Sequence, residues 1–216
     1  MVFNMDENSV RINNGGDKTI APTGTEEIVI TSEKNIKECF TAIGTCSRHQ
    51  KYDLIVLGVG TTFQCCRKFG AHAQAWPSLS GWVDELMMVQ YLNWFSENIS
   101  KHRPCALLLD QYPSHTTDLV KEIAQNLNIE LIYIPKNATG TYQPLDRRVF
   151  GNVKTKMRCQ SKSKVYSGNE RFQIIFEMLL KSWGQITEDN LNSAWKIPQV
   201  IDIFEPPAKM AENIST

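Results

Sequence analysis

At 216 residues, the chain is long enough to bury a substantial core in one domain or one and a half. Its 42% hydrophobic and 21% charged composition is that of an ordinary globular protein, and no stretch approaches the roughly 18 apolar residues of a membrane span. The 23 basic residues are matched by 23 acidic ones, which excludes a surface that is basic throughout but leaves room for a local basic patch.

The N-terminus lacks the charged and apolar regions of a signal peptide, so export and membrane attachment are not expected. Cys39, Cys46, Cys65, Cys66, Cys105 and Cys159 show no C-x-x-C spacing. Reduced thiols in a nuclear or cytosolic protein are therefore expected, in preference to a zinc site.

In chain order, "MVFNMD" alternates Val2, Asn4 and Asp6 with Phe3 and Met5, which predicts a strand that Asp6 terminates. A Gly/Asn-rich turn at "NNGGD" and a short strand around Ile28–Ile30 are expected next. "CFTAIGTCSRHQKYDLIVLGVG" predicts two strands joined by the polar turn Ser47–Lys51. Met88, Leu92, Phe95 and Ile99 fall at helical spacing, with Ser80 available as a cap. Ala106–Leu109 is a buried-strand run that ends in Asp110. Thr116 or Thr117 can cap a helix with the stripe Leu119, Ile123 and Leu127, and "IELIYI" predicts another strand. The loop "PKNATGTYQP" leads to a helix starting near Asp146. Phe172, Ile175, Phe176, Leu179 and Trp183 mark a further helix, and Thr187 caps a last short one, ended by Pro198. Three early antiparallel strands extended by two parallel ones, flanked by helices, make a mixed α/β fold. The expected division is a core over 1–160, a helical extension over 161–205 and a loose tail over 206–216.

An acid directly after a buried apolar run needs a cation or an exit from the core, because burying an unpaired carboxylate costs several kcal/mol. Asp6, Asp110 and Asp146 all stand at expected element ends. Each is either a cap or turn former, or one member of a converging set. Converging carboxylates raise one another's pKa unless a cation lies between them, and hard oxygen ligands of this kind suit Mg²⁺ or Mn²⁺. Two such ions can drive phosphoryl transfer. From Arg147 to Lys164 there are seven basic residues (Arg147, Arg148, Lys154, Lys156, Arg158, Lys162 and Lys164) and no acid. The run is either a solvated helix or a phosphate-contacting surface. Gly58-Val59-Gly60 lacks the third glycine of a dinucleotide fingerprint, and neither a Walker lysine motif nor a G-x-S-x-G elbow is present. "CCRKFGAH" is a charged loop in which Arg67 and Lys68 can reach phosphates.

"FNMDENSV", "ALLLDQYPSH" and "YQPLDRRVFGNVKTKMR" resemble the three acidic blocks of transposases in the pogo/Tigger branch of the mariner-type superfamily. "GWVDELMMVQYLNWF" resembles the helix before the second block. The resemblance spans roughly Met1 to Ile197. It implies an RNase H-like fold and a DDE-type endonuclease that cleaves and joins DNA, with Asp6, Asp110 and Asp146 as catalytic metal ligands for Mg²⁺ or Mn²⁺. His115 and Gln143 are implied as supporting residues. Arg147, Arg148, Lys154, Lys156 and Arg158 are expected on the DNA, with a possible homo-oligomer assembled there and a nuclear location. "DRR" stands where many relatives have an uncharged pair after the acid. Such transposases also carry N-terminal helix-turn-helix domains, whereas this sequence starts five residues before Asp6, so a fragment lacking its DNA-recognition domain is expected. The competing expectations are a domesticated, non-catalytic DNA- or chromatin-binding protein and an ordinary metal-dependent nuclease.

Overall fold

The computed structural model describes residues 1–11, 39–59, 73–99, 103–160 and 168–196. The expected turn at "NNGGD", the strand around Ile28–Ile30, Arg67 and Lys68, Lys162 and Lys164, Pro198 and the C-terminal tail lie outside the described residues.

Six strands form one sheet: β1 (Val2–Arg11), β2 (Cys39–Ser47), β3 (Leu54–Gly58), β4 (Ala73–Pro77), β5 (Cys105–Leu109) and β6 (Ile129–Tyr133). Their spatial order is β4-β3-β2-β1-β5-β6. β1, β2 and β3 pair antiparallel, and β5 and β6 extend the sheet in parallel beyond β1, as the sequence predicts. β4 was not expected. It adds a parallel edge to β3, and its pattern conceals it, because Trp76 is the one buried side chain in "AQAWP". An edge strand needs only its ladder hydrogen bonds and one anchoring ring, so no alternation announces it.

β1 runs five residues past Asp6, which corrects the expectation that the acid ends the strand. β2 stays in register with it from Phe3↔Ser47 to Arg11↔Cys39, so the polar segment Asn8–Arg11 remains satisfied in the ladder. The turn between β2 and β3 closes as expected, with Ser47 N–H donating to Gln50 O at 2.7 Å and Gln50 N–H to Ser47 Oγ at 3.1 Å.

The two sheet faces carry different cores. Phe3, Met5, Ile43, Leu107 and Leu109 pack with α1 (Glu85–Asn98) and α2 (Asp118–Asn126). In α1, Met88, Tyr91, Leu92 and Phe95 are fully buried, and truncating a ring such as Phe95 to Ala is worth about 3–5 kcal/mol. Asp84, not Ser80, caps α1, accepting from Met87 N–H at 2.8 Å, because it immediately precedes the first helical residue. Thr117 caps α2, which buries Val120 and Ala124 and leaves Leu119 37% exposed, so the buried stripe is displaced by one position from the predicted one.

On the opposite face, Val10, Phe40, Ala42, Cys46, Leu54 and Val56 pack against the C-terminal helices. These are α4 (Phe150–Gln160), α5 (Gly168–Gly184) and α6 (Glu188–Trp195), preceded by the single turn α3 (Thr139–Tyr142). Thr187 caps α6 with a reciprocal Asn190 bond, as its position predicts. Asp146 lies in a wide π-type turn, Leu145–Val149, that runs into α4; such turns widen a helix where a side chain must be re-aimed. Among the described residues, Cys39, Cys46, Cys105 and Cys159 are free thiols, and no helix is long and apolar enough to cross a membrane.

Candidate active site

Alternation along β1 sends Phe3, Met5 and Glu7 to the α1 face and Asn4, Asp6 and Asn8 to the α4 face. Asp6 is 6% exposed and stands opposite Gly44 of β2. Its parallel neighbour β5 pairs with β1 only from Val2↔Ala106 to Asn4↔Leu108. Carried two residues further, that register sets Asp6 level with Asp110, where β5 leaves the sheet. Strand ends of this kind are where open α/β sheets gather ligands.

Asp146 reaches the same place from the other side. Its carboxyl lies in hydrogen-bonding contact with that of Asp6. Burial first, then the charges of Asp146 and Glu7, hold the Asp6 carboxyl well above the usual carboxylate range. Asp6 Oδ2 is buried without a hydrogen-bond partner, while Asp146 is exposed at the rim. Gly44 makes this approach possible. A Cβ there would lie 3.0 Å from Phe150 Cε1 and Cζ and 3.3 Å from Trp183 Cη2, so the bare backbone lets the start of α4 sit close on β2 without displacing either ring.

Asp110 is held differently. His115 Nδ1 lies 2.7 Å from Asp110 Oδ1, and Tyr112 N–H donates to the same oxygen at 3.2 Å. His115 Nε2 lies 3.0 Å from Glu7 Oε1, so both ring nitrogens face carboxylates and both must donate. The ring is 1% exposed; burial alone pulls its pKa down, but the hydrogen bonds and charges of Asp110 and Glu7 overcome this and push it up to about 10. Burial likewise raises Asp110, yet the His115 bond and charge and the Tyr112 amide outweigh it, leaving that carboxyl below its ordinary value. Tyr133 OH donates to His115 O at 2.8 Å and fixes the Pro113–His115 turn from β6.

The structure thus joins Asp6 with Asp146 and gives Asp110 a separate cationic partner. Among the described residues, no group of three or more acids, histidines or cysteines is gathered as a metal cage. The hard-oxygen pair nonetheless fits a divalent cation: one buried, unpartnered carboxylate oxygen lies beside a second carboxyl. Gln143, expected as a supporting residue, is fully buried with neither amide atom partnered, three positions before Asp146. Glu7 was not foreseen. Its signal was available, because it follows Phe3 and Met5 on a core-facing side where a carboxylate requires a partner.

Of the expected DNA contacts, Arg147 donates to Lys196 O at 3.0 Å and Arg148 to Ser193 Oγ. Both therefore fasten α6 to the turn that holds Asp146. Lys154 and Arg158 are exposed four residues apart on α4, and Lys156 is partly buried.

A model described as DDE superfamily endonuclease matches residues 46–195, which include Asp110, His115, Gln143 and Asp146 but not Asp6. The protein named "Pogo transposable element with KRAB domain" from Mus musculus is 24% identical over 129 residues, covering 51% of this chain and 21% of that protein. Its Homo sapiens counterpart is 24% identical over 131 residues, covering 54% and 21%. This chain therefore spans about a fifth of the length of these curated relatives. The Mos1 strand transfer complex superposes with a TM-score of 0.51 at 12% identity, over 90% of this chain and 53% of that one. The Mos1 mariner paired-end complex with Mn gives 0.50 at 13% identity, over 88% and 55%. At these identities the likeness is one of fold: the RNase H-like mixed sheet is shared with these Mos1 structures. The chain belongs to the DDE superfamily endonucleases.

Proposed function

We propose that this chain is the catalytic core of a divalent-metal-dependent enzyme that cuts and joins DNA. The observation that carries the reading is Asp6: a buried carboxylate oxygen with no partner, pressed against a second carboxyl, is costly unless a cation is held there. Asp6 and Asp146 would hold Mg²⁺ or Mn²⁺, with Asp110 level beside them. Bound there, the ion would polarise a phosphodiester and offset charge on its attacking and leaving oxygens. Asp146, exposed at the rim, leaves the scissile phosphate an approach from solvent. His115 neutralises and orients Asp110, so that both Asp110 hydrogen bonds fall on Oδ1. Lys154 and Arg158 would receive the flanking phosphates without reading sequence.

The reaction follows as attack of water on the phosphodiester, breaking its P–O3′ bond to leave a 3′-hydroxyl and a 5′-phosphate. That 3′-hydroxyl then attacks a phosphodiester of a second duplex, displacing the 3′-oxygen of the target strand as the new P–O bond forms. A second copy assembled on the DNA and a nuclear location belong to the same reading. A fluorescent fusion excluded from nuclei would argue against the location. The activity is tested by incubating the purified chain with supercoiled plasmid in Mn²⁺, Mg²⁺ or chelator. Weak, sequence-indifferent nicking that requires metal and disappears in Asp146→Asn supports the proposal. Undiminished metal-dependent cleavage by a clean Asp146→Asn preparation overturns the assignment of the acids.

A further inference from the structure

Asn4 is completely buried, two positions before Asp6, and spends its amide on three different segments. Its Nδ2 donates to Met5 O at 3.1 Å in its own strand and to Leu108 O at 3.1 Å in β5. Its Oδ1 accepts from Leu145 N–H at 2.9 Å. Leu108 is two residues before Asp110 (110 − 108), and Leu145 is one before Asp146 (146 − 145). One side chain therefore touches the backbone within two residues upstream of all three acids.

The third bond has a particular physical role. Leu145 opens a helical turn, and the first N–H groups of a helix have no partner within it. A local cap cannot serve here, because Pro144 precedes Leu145 and no side chain of the turn's own N-terminal flank makes the capping bond. Asn4 supplies the acceptor from a strand 141 positions away in sequence. An amide suits the position, since it donates to two carbonyls and accepts from one N–H; a carboxylate would meet those carbonyls with like charge, and an apolar side chain would leave the Leu145 N–H without this acceptor.

We propose that Asn4 is the positioning residue of the acidic centre, registering the Asp146 turn against the two strands that present Asp6 and Asp110. The inference rests on the reading of those acids as a cation-binding centre. It goes beyond that reading in assigning the alignment to a non-ligand residue. Loss of the amide is expected to release the turn that carries Asp146 while the sheet, held by β2 from Phe3 to Arg11, stays paired.

The test compares the full chain with Asn4→Leu and with Thr45→Val. The second change removes a buried bond of similar kind, Thr45 to Tyr91 at 2.9 Å, on the opposite face of the sheet. Amide hydrogen exchange is followed at Leu145 and through residues 145–149, and Mn²⁺ uptake is titrated by the electron paramagnetic resonance signal of the free ion. In Asn4→Leu, exchange at Leu145 should accelerate at least tenfold and Mn²⁺ affinity should fall at least tenfold. In Thr45→Val both should stay within about twofold of the parent, at whatever cost in melting temperature. A folded Asn4→Leu that keeps parental exchange and Mn²⁺ affinity overturns the inference, and so does equal weakening in Thr45→Val. If Asn4→Leu does not fold, the parent decides: a Leu145 amide exchanging as fast as an open loop overturns the inference, and a protected one supports it. If the parent takes up no Mn²⁺, the cation-binding reading fails, and the exchange results alone decide whether Asn4 aligns the turn.

Discussion

His115 Nδ1 lies 2.7 Å from Asp110 Oδ1, and this contact gives Asp110 a different electrostatic fate from the acid beside it in register. Asp110 is held ionised against a buried imidazolium, whereas Asp6 is held against Asp146 with its Oδ2 unpartnered. The mutual repulsion expected among three acids is concentrated in one pair.

Asp110→Asn is accordingly expected to destabilise the metal-free protein, opposite to what three equally repelling acids would give. It exchanges a charge-assisted bond for a neutral one and leaves His115 with Glu7 as its only acidic partner, a loss of about 1–3 kcal/mol. Urea unfolding of both proteins at pH 7 measures it. A midpoint at or above the parent's would return Asp110 to the repelling set.

The pH dependence has a definite sign. His115 binds its proton more tightly folded than unfolded, with a folded pKa of about 10. Its contribution is therefore fully present below its unfolded value, near 6.5, and is lost as pH rises toward 10. Stability measured from pH 6 to 10 should decline in the parent and decline less in His115→Gln, whose midpoint at pH 6 is already lower. Parallel profiles would contradict the clamp between Asp110 and Glu7.

Gly44→Ala tests the packing that seats the Asp146 turn. The added Cβ would meet the Phe150 ring at 3.0 Å and Trp183 at 3.3 Å, between rings already buried. Overpacking of this kind costs about 1–3 kcal/mol. Chemical denaturation reads it directly, and an unchanged midpoint would mean that α4 can shift freely on β2.

The antiparallel pairing of β1 to β3, its parallel extension by β5 and β6, and the capping threonines were legible because each leaves a local mark: an apolar run, or a hydroxyl before a helix. The continuation of β1 through Asn8–Arg11 left none, since its partner β2 lies nearly thirty positions away across residues 12–38. Likewise Glu7 and Asn4 take their meaning from His115 and Leu145, more than a hundred positions distant. Arg147 and Arg148 read as phosphate ligands by composition, and the fold gives each a partner on or just after α6 that no local pattern announced. Sequence shows charge; tertiary contact decides what the charge is spent on.

DNA affinity should therefore depend on Lys154, Lys156 and Arg158 and fall with salt by roughly 0.9 in log–log slope for each phosphate neutralised on duplex DNA. Replacing these three by Gln should flatten the slope without altering the melting temperature by more than a degree or two. Arg147→Gln and Arg148→Gln should lower the melting temperature first. Fluorescence anisotropy across a salt series distinguishes the two groups, and binding indifferent to salt would remove α4 from the interface.

The central claim, that Asp6 and Asp146 form a cation seat, is tested most directly by melting curves with and without Mn²⁺ for the parent, Asp6→Asn and Asp146→Asn. At tenfold excess over Kd, a bound ion adds roughly 1.4 kcal/mol to the native state, a rise of about 3–6 °C for a chain of this size. The parent should show that rise, and both variants almost none. Metal-free Asp6→Asn should melt at or above the parent, because the buried carboxylate it removes is held protonated only at a cost that grows with pH. Equal Mn²⁺ shifts in all three proteins, or a metal-free Asp6→Asn that melts well below the parent, would contradict the account.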